Sequence, residues 1–361
     1  MVQKDSREDA ARGKSRPTSS DVAEAAGVSR SAVSFAFNDP ERLSARTRAR
    51  ILAAANELGY VPNTLARMLK SGQTQSLGVL LPQTLAKVME NPYYGQFLTG
   101  VGQVCDQEGL TLLLTPPVRD SMLKAIPYAA VDGFIVCGLE HDRGEVAELG
   151  RRGIPFVLVD SSRYEGVPSV DVDDESGAHE VLQHVLALGH RRIAVLSIDP
   201  GPERAERGYR GPLARRMAGF GHALAEAGMG IGDVELIEVP CTRSEGYQAT
   251  KALMAGSAPP TAIVAASDVL AFGAVDALHE LGLEVPGDVS VSGFDDLAES
   301  SWLRPRLTTV RQAITTKGRS AADFLVAAIR GEDQHPHQVL ATTLMVRDST
   351  GHVPTGAPGP R

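Results

Sequence analysis

The fold class predicted by this 361-residue sequence is an all-α head followed by a two-lobed α/β body of doubly wound parallel sheets. Two patterns carry the prediction. Between Thr18 and Gly59, apolar residues recur at helical spacing in three short pieces, each opened by a hydroxyl residue. From Leu77 onward, continuous apolar runs alternate with amphipathic stretches, as parallel strands do when helices cover both faces. The length agrees, since 361 residues suit two or three folded units rather than one.

Composition narrows the function classes. Hydrophobic residues are 43% and charged residues 22%, an ordinary globular balance rather than a disordered one. No apolar run approaches the ~20 residues of a membrane helix. The opening MVQKDSREDAARGKSRP has no apolar stretch of the secretory kind, so a cytoplasmic chain without membrane contact is expected. Cys105, Cys137 and Cys241 are far apart and read as thiols, most simply buried ones, so no metal, cofactor or disulfide frame is expected. His335 and His337 flank a proline in a polar stretch and read as loop. The net charge of −8 is unevenly spread: residues 1–75 hold 12 Lys and Arg against 8 Asp and Glu, and the remainder 24 against 36. A basic head on an acidic body is compatible with nucleic-acid binding confined to the head, because salt screens attraction to phosphate beyond about 10 Å.

In chain order, residues 1–16 read as a disordered tail and 17–60 as the head. Thr18 and Asp21 form a capping box that starts the first helix, Val22, Ala23 and Ala26 give it an apolar face, and Gly27 ends it. Ser29 caps a second helix ending near Phe37, and Ser44 caps a third that runs to Gly59 and buries Ile51, Leu52, Ala55 and Leu58. Residues 61–75 read as a linker holding a two-turn segment that Asn63 can cap, too short to persist alone in water. The body spans 76–350, with strands expected at 77–81, 110–114, 133–138, 154–160, 192–197, 234–239, 261–267 and 289–296. One lobe is expected from about 76–172 and 304–332, the other from about 173–303 and 333–350, with 351–361 as a loose tail. A ligand of such a body belongs at the carboxyl ends of the strands.

Ala23, Gly27 and Val33 have the spacing of a helix-turn-helix: a small residue where two helices cross, a glycine at the turn and an apolar anchor on the second helix. With this motif the sequence resembles the lactose-repressor (LacI/GalR) family over nearly its whole length. The match includes TSSDVAEAAGVSRSAVSFAFNDP from Thr18, NPYYGQFLTGV from Asn91, LGHRRIAVL from Leu188, RRMAGF from Arg215, ASDVLAFGAVDAL from Ala266, DVSVSGFDD from Asp288, LTTV from Leu307 and VRDSTG from Val346.

The resemblance implies a sequence-specific DNA-binding regulator, by preference a repressor, with a periplasmic-binding-protein-like body that binds a small polar effector such as a sugar or nucleobase. A homodimer on a roughly palindromic double-stranded operator follows, with tetramers left open. It places Arg30, Ser31 and Phe35 at base-reading positions in the major groove. Phe35 stands where many relatives carry arginine, leaving it between contact with a thymine methyl and a packing role. Ser29, Ser34, Asn38 and Thr47 match phosphate-approaching positions. Residues 63–70 match a hinge helix that folds in the minor groove, with Asn63 at its start, Ala66 at the close approach of two copies, Leu69 as the wedge and Lys70 in the groove. For the effector it points to Tyr93, Tyr94, Asp160, Arg210, Arg216, Cys241, Ser267, Asp268 and Asp295. Asp160 and Arg216 stay open between ligand contacts and satisfied structural charges, and Cys241 stands where relatives often place an aromatic ring.

Two other classes compete. Gly100-Val101-Gly102 begins like a dinucleotide loop, but it lies in a helical stretch with Cys105 in place of the third glycine, and neither a G-x-S-x-G elbow nor an H-E-x-x-H pair occurs, so catalysis is not expected. A two-lobed small-molecule receptor without DNA function would have no use for the head.

Overall fold

A computed structural model describes residues 17–62, 68, 72–139, 142–201, 208–332 and 336–353. It divides into two compact units, Met1–Gln73 and Thr74–Arg361.

Among its described residues the first unit holds three α-helices, α1 (Ser19–Ala25), α2 (Arg30–Asn38) and α3 (Ala45–Leu58), with a 3-10 turn at Pro40–Arg42. Each starts where its cap predicts. Thr18 and Asp21 form a reciprocal capping box, Ser29 accepts from the Ala32 amide, and Ser44 accepts from the Thr47 amide. Gly27 and Gly59 end α1 and α3 with φ of +61° and +67°, which a β-carbon would penalise. Val22, Ala23, Ala26, Val33, Ala36, Ile51, Ala54 and Ala55 form the core, with Phe37 and Tyr60 rings packed 5.9 Å apart at its edge. Leu52 and Leu58, expected inside, are 36% and 38% exposed. Ala54 takes the inward position, because Ile51, Ala54 and Ala55 share one helical stripe and Leu52, one residue on from Ile51, turns about 100° away.

The second unit holds two six-stranded sheets. The first contains β1 (Ser76–Leu80), β2 (Thr111–Thr115), β3 (Gly133–Cys137), β4 (Phe156–Val159), β5 (Ser169–Val172) and β11 (His337–Leu340), in the order β2-β1-β3-β4-β5-β11. All its pairings are parallel. The second contains β6 (Ile193–Ile198), β7 (Glu235–Val239), β8 (Ala262–Ala265), β9 (Ser290–Asp295), β10 (Thr308–Arg311) and β12 (Thr343–Met345), in the order β7-β6-β8-β9-β10-β12. Among the described residues, only β12 runs antiparallel in this sheet, against β10. The helices of the first lobe are α4 (Leu85–Glu90), α5 (Pro92–Glu108), α6 (Met122–Ala125), α7 (Glu145–Arg151) and α13 (Ile314–Ile329), and those of the second are α8 (Asp174–Ala187), α9 (Gly211–Glu226), α10 (Arg243–Met254), α11 (Asp268–Glu280) and α12 (Ala298–Trp302).

The chain therefore crosses between lobes later than expected. β10 pairs with β9, so residues 304–311 belong with the second lobe, and the crossing back falls at Gln312 and Ala313. β11 pairs with β5, so His337, expected in a loop, opens a strand of the first lobe. The reason is local: β10 and β11 are four residues each and carry Thr308, Thr309 and His337, so they lack the apolar run that marks the other strands. The start of the expected loose tail is docked, with Gly351 N donating to Ser290 Oγ at 3.0 Å and Val353 N to the Leu188 carbonyl at 3.1 Å.

Gly100 has a packing role. A β-carbon there would lie 2.0 Å from the Thr315 carbonyl oxygen, so α5 and α13 cross backbone to backbone, as the paired Gly318 against the Phe97 carbonyl also requires.

Candidate functional site

On the head, the first half of α2 faces solvent. Arg30 and Ser31 are exposed, with no hydrogen bond or ion pair to any described side chain, while Val33 and Ala36 anchor the opposite face. Phe35 is half-buried, and the Arg42 guanidinium sits 5.2 Å from its ring centroid, itself held by Asp39 at 2.5 Å. Phe37, not Phe35, supplies the aromatic packing to the end of α3. Asn38 Nδ2 donates to the Ser34 carbonyl at 3.0 Å and to Ser34 Oγ at 3.3 Å, and the hydroxyls of Ser44 and Thr47 are 2.9 Å apart. Ser29, Ser34, Asn38 and Thr47 thus lie along the caps and exit of α2 and α3. Asn63, Ala66, Leu69 and Lys70 lie outside the described residues.

In the body, carboxyl ends of strands from both sheets converge on a cavity of about 380 Å³. Pro82 follows β1, Gly138 and Leu139 follow β3, and Asp160 follows β4, while Asp199 follows β6, Ser267 follows β8, and Asp295 ends β9. A doubly wound sheet opens its crevice at this end, where loops leave in opposite directions. Asp160 and Asp295 have φ of 49° and 133°, left-handed backbone rarely adopted by residues with a β-carbon, so each strand turns sharply at the carboxylate it presents.

Of the predicted residues, Tyr93, Tyr94, Asp160, Arg216, Cys241, Ser267 and Asp295 share the wall. Two do not. Arg210 is an exposed residue at the N-terminal boundary of α9 and is absent from the lining. Asp268 is fully buried and turned away from the cavity: it accepts from Leu297 N at 2.8 Å, Ser300 Oγ at 2.6 Å and Thr309 Oγ1 at 2.5 Å, tying α12 and β10 to the start of α11. All these donors come from its own lobe.

Asp160 and Arg216 are both paired and cavity-facing. Arg216 donates to Asp174 Oδ1 at 2.9 Å and to the Ala266 carbonyl at 2.5 Å, with its guanidinium 3.7 Å over the Phe294 ring. Asp160 accepts from Lys317 Nζ at 2.7 and 2.8 Å and from the Tyr93 hydroxyl. Burial alone would raise the Asp160 pKa, but the Lys317 ammonium and the Tyr93 hydrogen bond hold it below the usual carboxylate value. Asp295, burdened by burial and opposed by Arg216, rises to about 6. Burial likewise pushes the Cys241 thiol up to about 11, so it is a neutral wall group at ordinary pH. Cys105 and Cys137 are buried.

Sequence reasoning missed Gln312 and Lys317. Gln312 Nε2 donates to Asp295 Oδ1 at 2.6 Å, and its Oε1 accepts from Lys317 at 2.7 Å, so the crossing segment joins both strand-end carboxylates. Only the position of Gln312, two residues after LTTV, offered a signal, whereas Lys317 in ITTKGRSAADF looks like an exposed helix residue.

Residues 18–63 match the model for bacterial regulatory proteins of the lacI family, and residues 182–350 match a periplasmic binding protein-like domain. The HTH-type transcriptional regulator CelR of Thermobifida fusca is 32% identical over 344 residues, 92% of this chain and 98% of that protein. The Lac repressor dimer bound to operator and the anti-inducer ONPF superposes with a TM-score of 0.78 at 29% identity, covering 93% of this chain and 99% of the other. A CelR–cellobiose complex superposes with a TM-score of 0.66 at 31% identity, covering 92% and 100%. With a helix-turn-helix head whose second helix starts on an exposed polar face and a two-lobed body around a polar cavity, this chain belongs to the lacI family of bacterial regulatory proteins and is a DNA-binding transcriptional regulator.

Proposed function

We propose that this regulator is a repressor that binds a roughly palindromic operator as a homodimer, and that a hydroxyl-rich neutral effector, a sugar, in the body cavity sets its operator affinity. The observation that carries the reading is the cavity floor, where Asp160 and Asp295 from facing lobes are linked through Gln312 and Lys317, with Arg216 in the same wall. Carboxylates and an amide offer the paired acceptors and donors that vicinal hydroxyls take, and about 380 Å³ is the scale of a small-molecule site. Cellobiose in the related CelR supports the same class.

At the head, Arg30 is assigned to a guanine edge, Ser31 to its neighbour and Phe35 to a thymine methyl, with Ser29, Ser34, Asn38 and Thr47 on phosphates. Asn63, Ala66, Leu69 and Lys70 are assigned to a hinge in the minor groove, whose ordering is repaid only on DNA. Effector binding changes the angle between lobes and shifts a first-lobe dimer contact near residues 92–108, which resets the spacing of the hinges. The cavity is assigned no catalytic role, in keeping with relatives that regulate transcription.

The test begins with selection of bound sites from random duplex DNA, followed by a thermal-shift screen of sugars and nucleobases. A true effector raises the melting temperature and changes operator affinity, and by linkage the operator changes effector affinity by the same factor. A ligand that leaves operator affinity unchanged across its saturating range is rejected. Deleting residues 1–72 abolishes operator binding and leaves effector binding in place.

A further inference from the structure

An ammonium group sits immediately behind the cavity floor. Lys317 is fully buried on α13 and is not part of the lining, while Asp160 is. In their ion pair the lysine side chain keeps 1% of its surface and the aspartate 18%. Lys317 Nζ donates to both Asp160 oxygens and to Gln312 Oε1, and it lies 3.1 Å from the Tyr93 oxygen. A carboxylate has about four acceptor positions. Lys317 and Tyr93 occupy three of those on Asp160, leaving one toward the cavity.

A buried lysine is expensive unless paired, and an apolar side chain would fill the same space at less cost. Its position therefore has an electrostatic consequence. Asp160 offers a ligand an oriented acceptor whose charge is already cancelled from behind. Without the ammonium, the same oxygen would carry into the cavity a charge opposed only by Arg216, which is bonded to Asp174 rather than to Asp160.

We propose that Lys317 is a specificity-determining residue of the effector site: by cancelling the Asp160 charge from behind the floor, it selects a neutral hydroxyl over an amine at that point. The inference rests on the sugar reading above and adds the charge class that the site rejects.

The test uses the full-length chain and a series differing in charge: glucose, its 2-, 3- and 6-amino-deoxy derivatives, and glucuronate, each titrated by calorimetry. The wild type prefers glucose to every amine. In Lys317→Met at least one amine binds about tenfold or more tightly than glucose, the size of a charge-assisted hydrogen bond in a shielded site. Asp160→Asn moves the preference toward glucuronate, and Asp160→Asn combined with Lys317→Met removes both preferences. Lysine as a mere space filler predicts variants that differ in stability but keep the wild-type ranking, and that result overturns the proposal. Should Lys317→Met fail to fold, Asp160→Asn and the double variant decide by the same ranking. Charge-switched binding by the variants alongside a wild type that ignores glucose sinks the sugar reading alone. An unmoved ranking with glucose bound sinks this inference alone, and silence throughout sinks both.

Discussion

The reading face of α2 and the floor of the cavity are both polar, yet they stand in opposite states before any partner arrives. Arg30 and Ser31 are exposed to solvent, and in the proposed reading DNA replaces water around them. Asp160, Asp295, Gln312 and Arg216 are already bonded to protein groups, so an effector must fit among existing hydrogen bonds. Those two polar side chains of the head stand free of described protein partners, and the polar groups of the cavity floor are largely engaged by them. This difference follows from burial, because a polar group out of water must be satisfied within the fold, whereas an exposed one need not be.

Substitutions on the two sides separate these states. Arg216→Ala should lower the unfolding free energy of the body by about 3 kcal/mol, at the low end for a broken buried pair because Arg215 still donates to the other Asp174 oxygen at 2.9 Å. Denaturant melts measure this, and an unchanged midpoint would break the contrast. Arg30→Ala should do the reverse, costing about 1–3 kcal/mol of discrimination at one base position while leaving the melt within about 0.5 kcal/mol of wild type. Binding-site selection with each protein reads the lost position.

Carboxyls on the two sides also titrate in opposite directions. Burial pushes Asp171 up to about 6 despite Arg215 at 3.0 Å, with Asp160 and Asp174 adding to the rise. A carboxyl raised above its unfolded value of about 3.9 contributes stability fully below that pH, and the contribution is lost as pH climbs through about 6. Asp171→Asn should therefore remove about 1–2 kcal/mol of stability decline between pH 4 and 6, visible as a flatter profile. Asp21 in the head is lowered by the Thr18 amide and hydroxyl, so its contribution is present at neutral pH and fades as pH falls. The smallest effect is expected at that cap. Thr18→Ala should cost the head about 1 kcal/mol, read as faster hydrogen exchange of α1 amides with the body unaffected.

The features legible in the sequence share a local cause. Thr18, Ser29 and Ser44 mark helix starts because a hydroxyl satisfies an amide two or three residues away, and Gly27 and Gly59 mark ends through one backbone angle. β1, β3, β6, β8 and β9 show as apolar runs because both faces are covered. β5 and β10 escaped notice because they bury Ser169, Asp171, Thr308 and Thr309, and β11 and β12 because they bury no side chain fully, so all four read as loop until their partners are known. Leu52 and Leu58 show the converse error, apolar residues assigned inward that the helix turns outward.

For the site, the strand-end residues Asp160, Ser267 and Asp295 were legible because strands place their carboxyl ends predictably at the crevice. Asp268 was not separable from its neighbour Ser267 by sequence, since one residue of rotation at the start of α11 decides which side chain meets the cavity. The sequence alone determined where helices begin, which runs become strands and the class to which the chain belongs, because those depend on neighbours within a few residues. Tertiary structure alone decided that Lys317 is buried against Asp160, 157 residues away in the chain, and that Gln312 bonds Asp295 of one lobe and Lys317 of the other, because burial and charge pairing depend on which segments meet in space.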